Sequence, residues 1–136
     1  MDLLKDLNAA QADAVTTTSG PLLILAGAGS GKTKTLTHRI AYLIASETIW
    51  PNEILAVTFT NKAAKEMRER LGQLLGQDGH ARNFMPWMGT FHGICVRLLR
   101  ADGDIIGIQS NYVIYDEIDR QGLIKQAMKQ LSIGDK

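Results

Sequence analysis

A glycine-rich loop at positions 26–33, with the sequence AGAGSGKT, constrains the fold of this chain more than any other segment. Alternating glycines permit backbone angles that are closed to other residues, and they leave the main-chain amides uncovered so that several N–H groups face one anion. The lysine that follows can reach phosphate oxygens, and the threonine hydroxyl can join the coordination shell of a magnesium ion. The loop therefore predicts binding of a nucleotide's phosphates, with a glycine turn beside a solvated lysine as the minor alternative.

The sequence on either side of the loop agrees with this interpretation. Leu22–Ala26 is a continuous apolar run, which is typical of a strand buried on both faces in a parallel sheet. A helix is predicted from about Lys32, where its N–H groups and positive end would favour an anion. Its buried face is predicted to contain Leu36, Ile40, Leu43 and Ile44.

Strand and helix patterns alternate along the rest of the first hundred residues. They predict a helix over Asn8–Val15, a strand over Ile54–Phe59, a helix over Asn61–Leu75, a strand within Phe84–Phe91 and a helix over His92–Arg100. This order is typical of an α/β fold in which helices flank a parallel sheet. After Gly107 the pattern changes to a short apolar segment, Tyr112–Tyr115, and one further helix with Ile124, Ala127, Met128 and Leu131 on one face.

Composition excludes several classes of protein. With 136 residues, of which 45% are hydrophobic, the chain can bury one sizeable core. The 15 basic and 14 acidic residues nearly balance, so any contact with nucleic acid must come from a local surface. The single cysteine, Cys95, has no disulfide partner and is expected in the core of a protein in a reducing compartment. Apolar runs are too short to cross a bilayer, which predicts a cytoplasmic protein without membrane contact.

Four further segments accompany the loop: LNAAQADAV at 7–15, AVTFTNKAA at 56–64, GTFHG at 89–93 and YVIYDEID at 112–119. In this order and at these spacings they resemble the N-terminal part of superfamily 1 DNA helicases of the UvrD/Rep/PcrA type, over essentially the whole chain. The resemblance implies a P-loop NTPase fold of the RecA-like kind. Residues 1–92 would form the first half of the ATP-binding domain (1A), and 93–136 the opening of a helical insertion (1B), so that the chain is expected to be incomplete.

The resemblance also implies an ATP site. The amide of Gln11 would recognise the adenine edge, Lys32 and Thr33 would be the catalytic residues, and Thr33 would also bind Mg²⁺. The residues implied to contact the nucleotide are Gln11, Ala26, Gly27, Ala28, Gly29, Ser30, Gly31, Lys32, Thr33 and Lys34. The residues themselves leave an alternative open for Gln11, because Asn8 followed three positions later by glutamine is also a capping-box pattern.

A path for single-stranded DNA is implied by the segments at 56–64 and 89–93. The residues implied to lie along it are Phe59, Thr60, Asn61, Lys62, Thr90 and His92. An aromatic face can stack on a base, and hydroxyl, amide and ammonium groups at a helix start can hold phosphate. The alternatives are that Phe59 packs in the core, that Asn61 caps the helix and that His92 is structural. Phe91 is expected to be a packing residue.

The acidic pair Asp116 and Glu117 permits two interpretations. Apolar residues followed by Asp-Glu could form a metal-organising strand with Glu117 as catalytic base. In the helicase family a similar stretch introduces the helical insertion, and Asp116 with Asp119 also fits the start of a helix. We favour the second interpretation.

The sequence thus predicts the ATP-binding portion of an ATP-dependent helicase that moves along single-stranded DNA and unwinds duplex. Its expected partners are single-stranded DNA, duplex junctions and the remaining helicase domains. Because the resemblance places the family's acidic motif, second domain and transition-state arginine outside this stretch, we expect the stretch alone to bind nucleotide weakly and hydrolyse it very slowly. The alternatives are a small phosphate-loop kinase that uses Asp116 or Glu117, and a non-catalytic nucleotide- or nucleic-acid-binding module.

Overall fold

The computed structural model describes residues 2–46, 49–81 and 83–134. Its helices and strands are α1 (Ala9–Thr16), α2 (Lys32–Ala45), β1 (Ala56–Thr58), α3 (Asn61–Leu75), β2 (Met88–Thr90), α4 (Phe91–Asp102) and α5 (Glu117–Gln130), with short 3-10 helices at Pro51–Glu53 and Gly103–Ile106. Contacts divide the chain into two compact units, one that ends at Val96 and one that begins at Arg97. None of the described helices is both long and apolar enough to cross a bilayer.

The two strands of the first unit form a parallel sheet. Ala56 is paired with Met88, Val57 with Gly89 and Thr58 with Thr90. Helix α3 connects β1 to β2 and packs against both strands. The mixed α/β architecture with a parallel sheet is therefore confirmed, although β1 is shorter than the strand predicted over Ile54–Phe59.

The strand predicted at Leu22–Ala26 is wrong for this structure. The segment pairs with neither β1 nor β2, and the side chains of Leu23 and Leu25 are 80% and 86% exposed. A central parallel strand is stabilised by hydrogen-bonded neighbours at both edges and by helices over both faces. Among the described residues no strand lies beside this run, so its apolar composition is not matched by burial.

The core of the first unit lies between α2, α3 and the segment that leads into β2. It comprises Leu3, Ile40, Ala41, Ala56, Met67, Leu71, Phe84, Met85 and Met88. Met67 and Leu71 are four residues apart on α3, so they face the core together. Helix α1 packs against α2. Cys95, which was expected in the core, is only partly buried.

The buried face of α2 agrees with the predicted one at Ile40 and Ile44, which contact the core, but differs from it elsewhere. Leu36 is exposed, whereas Thr35, Thr37 and His38 are buried. The threonine hydroxyls donate to carbonyls of the preceding turn, and Nδ1 of His38 lies 2.7 Å from the carbonyl oxygen of Leu3. Because each polar group has a partner, its burial costs little, and apolar spacing alone did not reveal this face.

Candidate functional site

The glycine-rich loop turns back on itself directly before α2. The Ser30 N–H donates to the Gly27 carbonyl over 3.3 Å, and the Ser30 hydroxyl donates to the same oxygen over 2.6 Å. Gly29 and Gly31 have φ values of 75° and 86°, in the left-handed region that favours glycine. Residues 26–30 are exposed, so that the curled loop is open to a ligand.

Lys32 stands at the start of α2 with its ammonium against the beginning of the loop. Its Nζ donates to the carbonyls of Ala26 at 2.9 Å and Gly27 at 2.7 Å. Phosphate oxygens are stronger acceptors for an ammonium than neutral carbonyls are, so a polyphosphate would compete for these donors. Thr33 follows in the first helical turn with an exposed side chain, which places a hydroxyl next to the same helix end.

Gln11 caps its own helix and also contacts the glycine-rich loop. Its Oε1 accepts from the Asn8 N–H at 3.1 Å while its own N–H donates to Asn8 Oδ1 at 2.9 Å, which confirms the capping box. In addition its Nε2 donates to the Ser30 carbonyl at 3.0 Å. The capping bond is therefore compatible with the contact to the loop, and it holds the Gln11 amide beside Ser30.

A cleft of about 220 Å³ lies between α1 and the loop. Its lining residues include Asn8, Gln11, Ala14, Ile24, Ser30 and Lys32. Two cations hold α1 and its leading segment on α2: Lys34 donates to the Asp6 carbonyl, and Arg39 donates to the carbonyls of Ala14 and Thr17. Sequence reasoning missed Arg39, since an arginine on a helix gives no local sign that its acceptors lie in another helix.

We expect Gln11→Glu to separate the bond within the capping box from the bond to the Ser30 carbonyl. A glutamate can still accept from the Asn8 N–H, so the capping box and α1 remain, but it cannot donate to the Ser30 carbonyl. Loss of that bond and repulsion between the two oxygens should weaken ATP binding about tenfold, or roughly 1.4 kcal/mol.

Gln11→Ala is the matched comparison, because it also removes the bond from the Asn8 N–H to the Gln11 side chain, although the Asn8 cap itself remains, and it should also lower the melting temperature. Calorimetric titration with a non-hydrolysable ATP analogue and thermal denaturation measure the two effects. Wild-type affinity in Gln11→Glu would show that the contact with Ser30 does not shape the nucleotide site.

A second cluster of predicted site residues follows the carboxyl ends of β1 and β2. Because Thr58 and Thr90 are register partners, the segments that begin at Phe59 and Phe91 leave the sheet at the same edge. Phe59 is 98% exposed, so the alternative that it packs in the core is wrong. The Thr60 and Thr90 side chains stand at equivalent helix starts, since their Oγ1 atoms each accept an N–H, from Ala63 and Gly93 respectively, at 3.1 Å.

The remaining residues of this cluster are exposed. Thr60 caps α3, so the alternative in which Asn61 is the cap is wrong; Asn61 is the first residue of the helix. Lys62 lies beside it in the first turn. His92 is exposed, and its ring meets that of Phe91 edge to face, with 6.1 Å between centroids. The structure therefore brings all six predicted residues to one edge of the sheet or the helix turns directly beyond it.

The acidic pair in the second unit has structural partners. Asp116 Oδ1 accepts from the N–H groups of Ile118 at 2.8 Å and Asp119 at 2.9 Å, and Asp119 Oδ2 accepts from the Asp116 N–H at 3.2 Å. Hydrogen bonds from Arg120 and then Gln121 hold the pKa of Glu117 below its usual value, which makes it a weaker base. These contacts confirm that the pair begins α5. No group of three His, Cys, Asp or Glu side chains suited to a metal ion occurs in the described parts of the chain.

Comparison with known proteins adds an independent line of evidence. The family model described as the UvrD/REP helicase N-terminal domain matches residues 7–136. Proteins named ATP-dependent DNA helicase PcrA from Staphylococcus epidermidis and Staphylococcus aureus are each 52% identical to this chain over 134 residues. The matched region is 98% of this chain and 18% of each relative, so that the chain spans less than a fifth of the length of these curated relatives.

Proposed function

Since the chain belongs to the UvrD/REP helicase N-terminal domain family, we propose that it is the ATP-binding portion of an ATP-dependent helicase that moves along single-stranded DNA and unwinds duplex. One observation carries the proposal. A single unit, ending at Val96, contains both a curled phosphate-type loop and a sheet edge with an exposed aromatic side chain and two capped helix starts. A helicase needs both sites in one folded unit, because nucleotide binding has to change the affinity of the protein for DNA.

The loop fits ATP and Mg²⁺. Its left-handed glycines turn the chain so that successive amides can face one anion, and the start of α2 adds a positive helix end. Lys32 would neutralise charge on the terminal phosphates, and Thr33 would contribute a hydroxyl to the magnesium ion. Gln11, which lines the cleft beside α1, would border the base. Lys34 follows Thr33 in the first turn of α2 and would complete the nucleotide site. When bound, ATP with Mg²⁺ supplies the phosphoanhydride whose hydrolysis drives movement.

The sheet edge fits an unpaired strand of DNA. Thr60 and Thr90 use their hydroxyl oxygens to accept the helix N–H bonds and retain a hydroxyl hydrogen that could donate to phosphate. Lys62 adds a cation, His92 adds a ring N–H and Asn61 adds an amide. Phe59 offers a face on which any base can stack, so that binding would depend little on sequence.

The exposed run at 22–26 supports a larger sheet in the full-length protein. Its apolar side chains favour a position between two other strands, as in a RecA-like fold. We therefore assign residues 1–92 to the first half of domain 1A and residues 93–136 to the opening of subdomain 1B. The remaining helicase domains would then be partners of this chain as well as of the DNA.

ATP hydrolysis by the full-length protein, measured with and without oligothymidylate, tests the proposal. We expect hydrolysis that requires Mg²⁺ and rises at least about tenfold when single-stranded DNA is added. We also expect ATP-dependent separation of a duplex that carries a single-stranded tail. Hydrolysis indifferent to DNA, or transfer of the phosphoryl group to a small acceptor, would overturn the helicase proposal in favour of another phosphate-loop enzyme.

A further inference from the structure

Phe91 occupies the same place after β2 that Phe59 occupies after β1. Phe59 follows Thr58, and Phe91 follows Thr90, the register partner of Thr58. Phe91 was expected to pack, yet its side chain is 59% exposed and is not part of the core of the unit. Two exposed phenylalanines therefore leave adjacent strands at the same level.

The spacing of the two positions matches a single strand of nucleic acid. Adjacent strands of a sheet lie about 4.8 Å apart. Successive bases rise by about 3.4 Å when stacked in a helix and move further apart when the backbone is extended. Two aromatic side chains on neighbouring strands can therefore meet two neighbouring bases, with the capped helix starts beside them.

The surroundings of Phe91 favour a binding role over a packing role. Three residues further along α4, Ile94 is buried and anchors the helix, so that Phe91 is not needed for this purpose. The edge-to-face contact with the exposed His92 ring, at an interplanar angle of 88°, restricts the ring without placing it in the core. An exposed aromatic ring held in this way loses little freedom when it stacks on a base.

We propose that Phe91 is a second base-stacking residue of the DNA path, beside Phe59. The inference rests on the proposed function. It assigns to Phe91 a contact with an unpaired base of single-stranded DNA. Phosphate contacts at this edge would hold the backbone, whereas Phe91 would act only where a base is present.

The test compares two probes with the full-length protein: an oligothymidylate of roughly 16 nucleotides and an abasic deoxyribose-phosphate chain of the same length. We expect Phe91→Leu to weaken binding of oligothymidylate at least about fivefold, because stacking on the ring is lost while its apolar volume is largely kept. Binding of the abasic chain should not change. Leu55→Ala, at an exposed apolar residue of the same unit, is the control and should leave the affinity for both probes unchanged.

Phe59→Ala separates failure of this inference from failure of the proposed function. If Phe59→Ala weakens binding of oligothymidylate and Phe91→Leu does not, Phe91 is not a stacking residue and the helicase proposal stands. If wild-type protein binds neither probe, the proposed function fails. Equal weakening of both probes by Phe91→Leu would show that Phe91 acts through the fold, and would also overturn the inference.

Discussion

Lys32→Met is expected to lower the rate of ATP hydrolysis by the full-length protein at least about a hundredfold, because a positioned cation on the transferring phosphate is lost. The ammonium is already held against the loop by the Ala26 and Gly27 carbonyls, at 2.9 and 2.7 Å. A small movement of the ammonium would therefore bring it to a phosphate bound by the loop. Methionine keeps an unbranched apolar stem, so that the change removes charge more than volume. Lys32 is exposed, and the fold should remain.

Lys65→Met is the matched control for this charge removal. Lys65 is an exposed lysine on α3 whose ammonium lies 3.8 Å from Glu69, an interaction of the weak surface kind. Its replacement should leave hydrolysis unchanged. Steady-state rates of phosphate release and calorimetric titration with ATP provide the measurement. Hydrolysis by Lys32→Met within about twofold of wild type would mean that the loop is not the catalytic nucleotide site.

Arg68→Ala is expected to lower the free energy of unfolding of the first unit by about 3 kcal/mol, because two carbonyls lose a charged donor. The guanidinium of this partly buried α3 residue donates to the carbonyls of Phe84 and Met88, at 2.6 Å in the second case. Both acceptors belong to buried residues: Phe84 precedes β2 and Met88 is its first residue. Arg68 thus ties α3, which begins beside Thr60, to the strand that ends at Thr90.

Arg70→Ala provides the comparison on the same helix. Its guanidinium pairs with Glu66 at 2.6 Å on the surface, and loss of such a pair should cost less than about 0.5 kcal/mol. Urea denaturation of the 136-residue chain, followed by tryptophan fluorescence, reports on the first unit, since both tryptophans of this chain, Trp50 and Trp87, lie within it. Equal effects of the two substitutions would show that the contacts of Arg68 are not held in solution.

Local signals predicted the helices and their starts well. The predicted bounds of α3, Asn61–Leu75, agree with the structure, and Asn8 and Asp116 cap α1 and α5 as expected. Each of these features depends on hydrogen bonds between residues three or four positions apart. The same holds for the glycine-rich loop, whose turn depends on left-handed glycines and on bonds within the loop itself.

Longer-range features were missed or wrong. The apolar run at 22–26 was assigned to a buried strand, but it pairs with neither β1 nor β2. On α2 the polar Thr37 and His38 are buried while Leu36 is exposed. Arg39 and Arg68 have acceptors 16 to 25 residues away, for which the sequence gives no indication.

By itself, then, the sequence determined where helices begin, how the phosphate-type loop turns, and which family the chain resembles. The tertiary structure decided that Gln11 contacts the loop as well as its own helix, and that Thr60, Thr90, Phe59 and Phe91 share one edge. The physical reason is the range of the interactions. Caps and turns form within one turn of chain, whereas the partner of an amide, a guanidinium or a strand edge is chosen only when distant segments pack together.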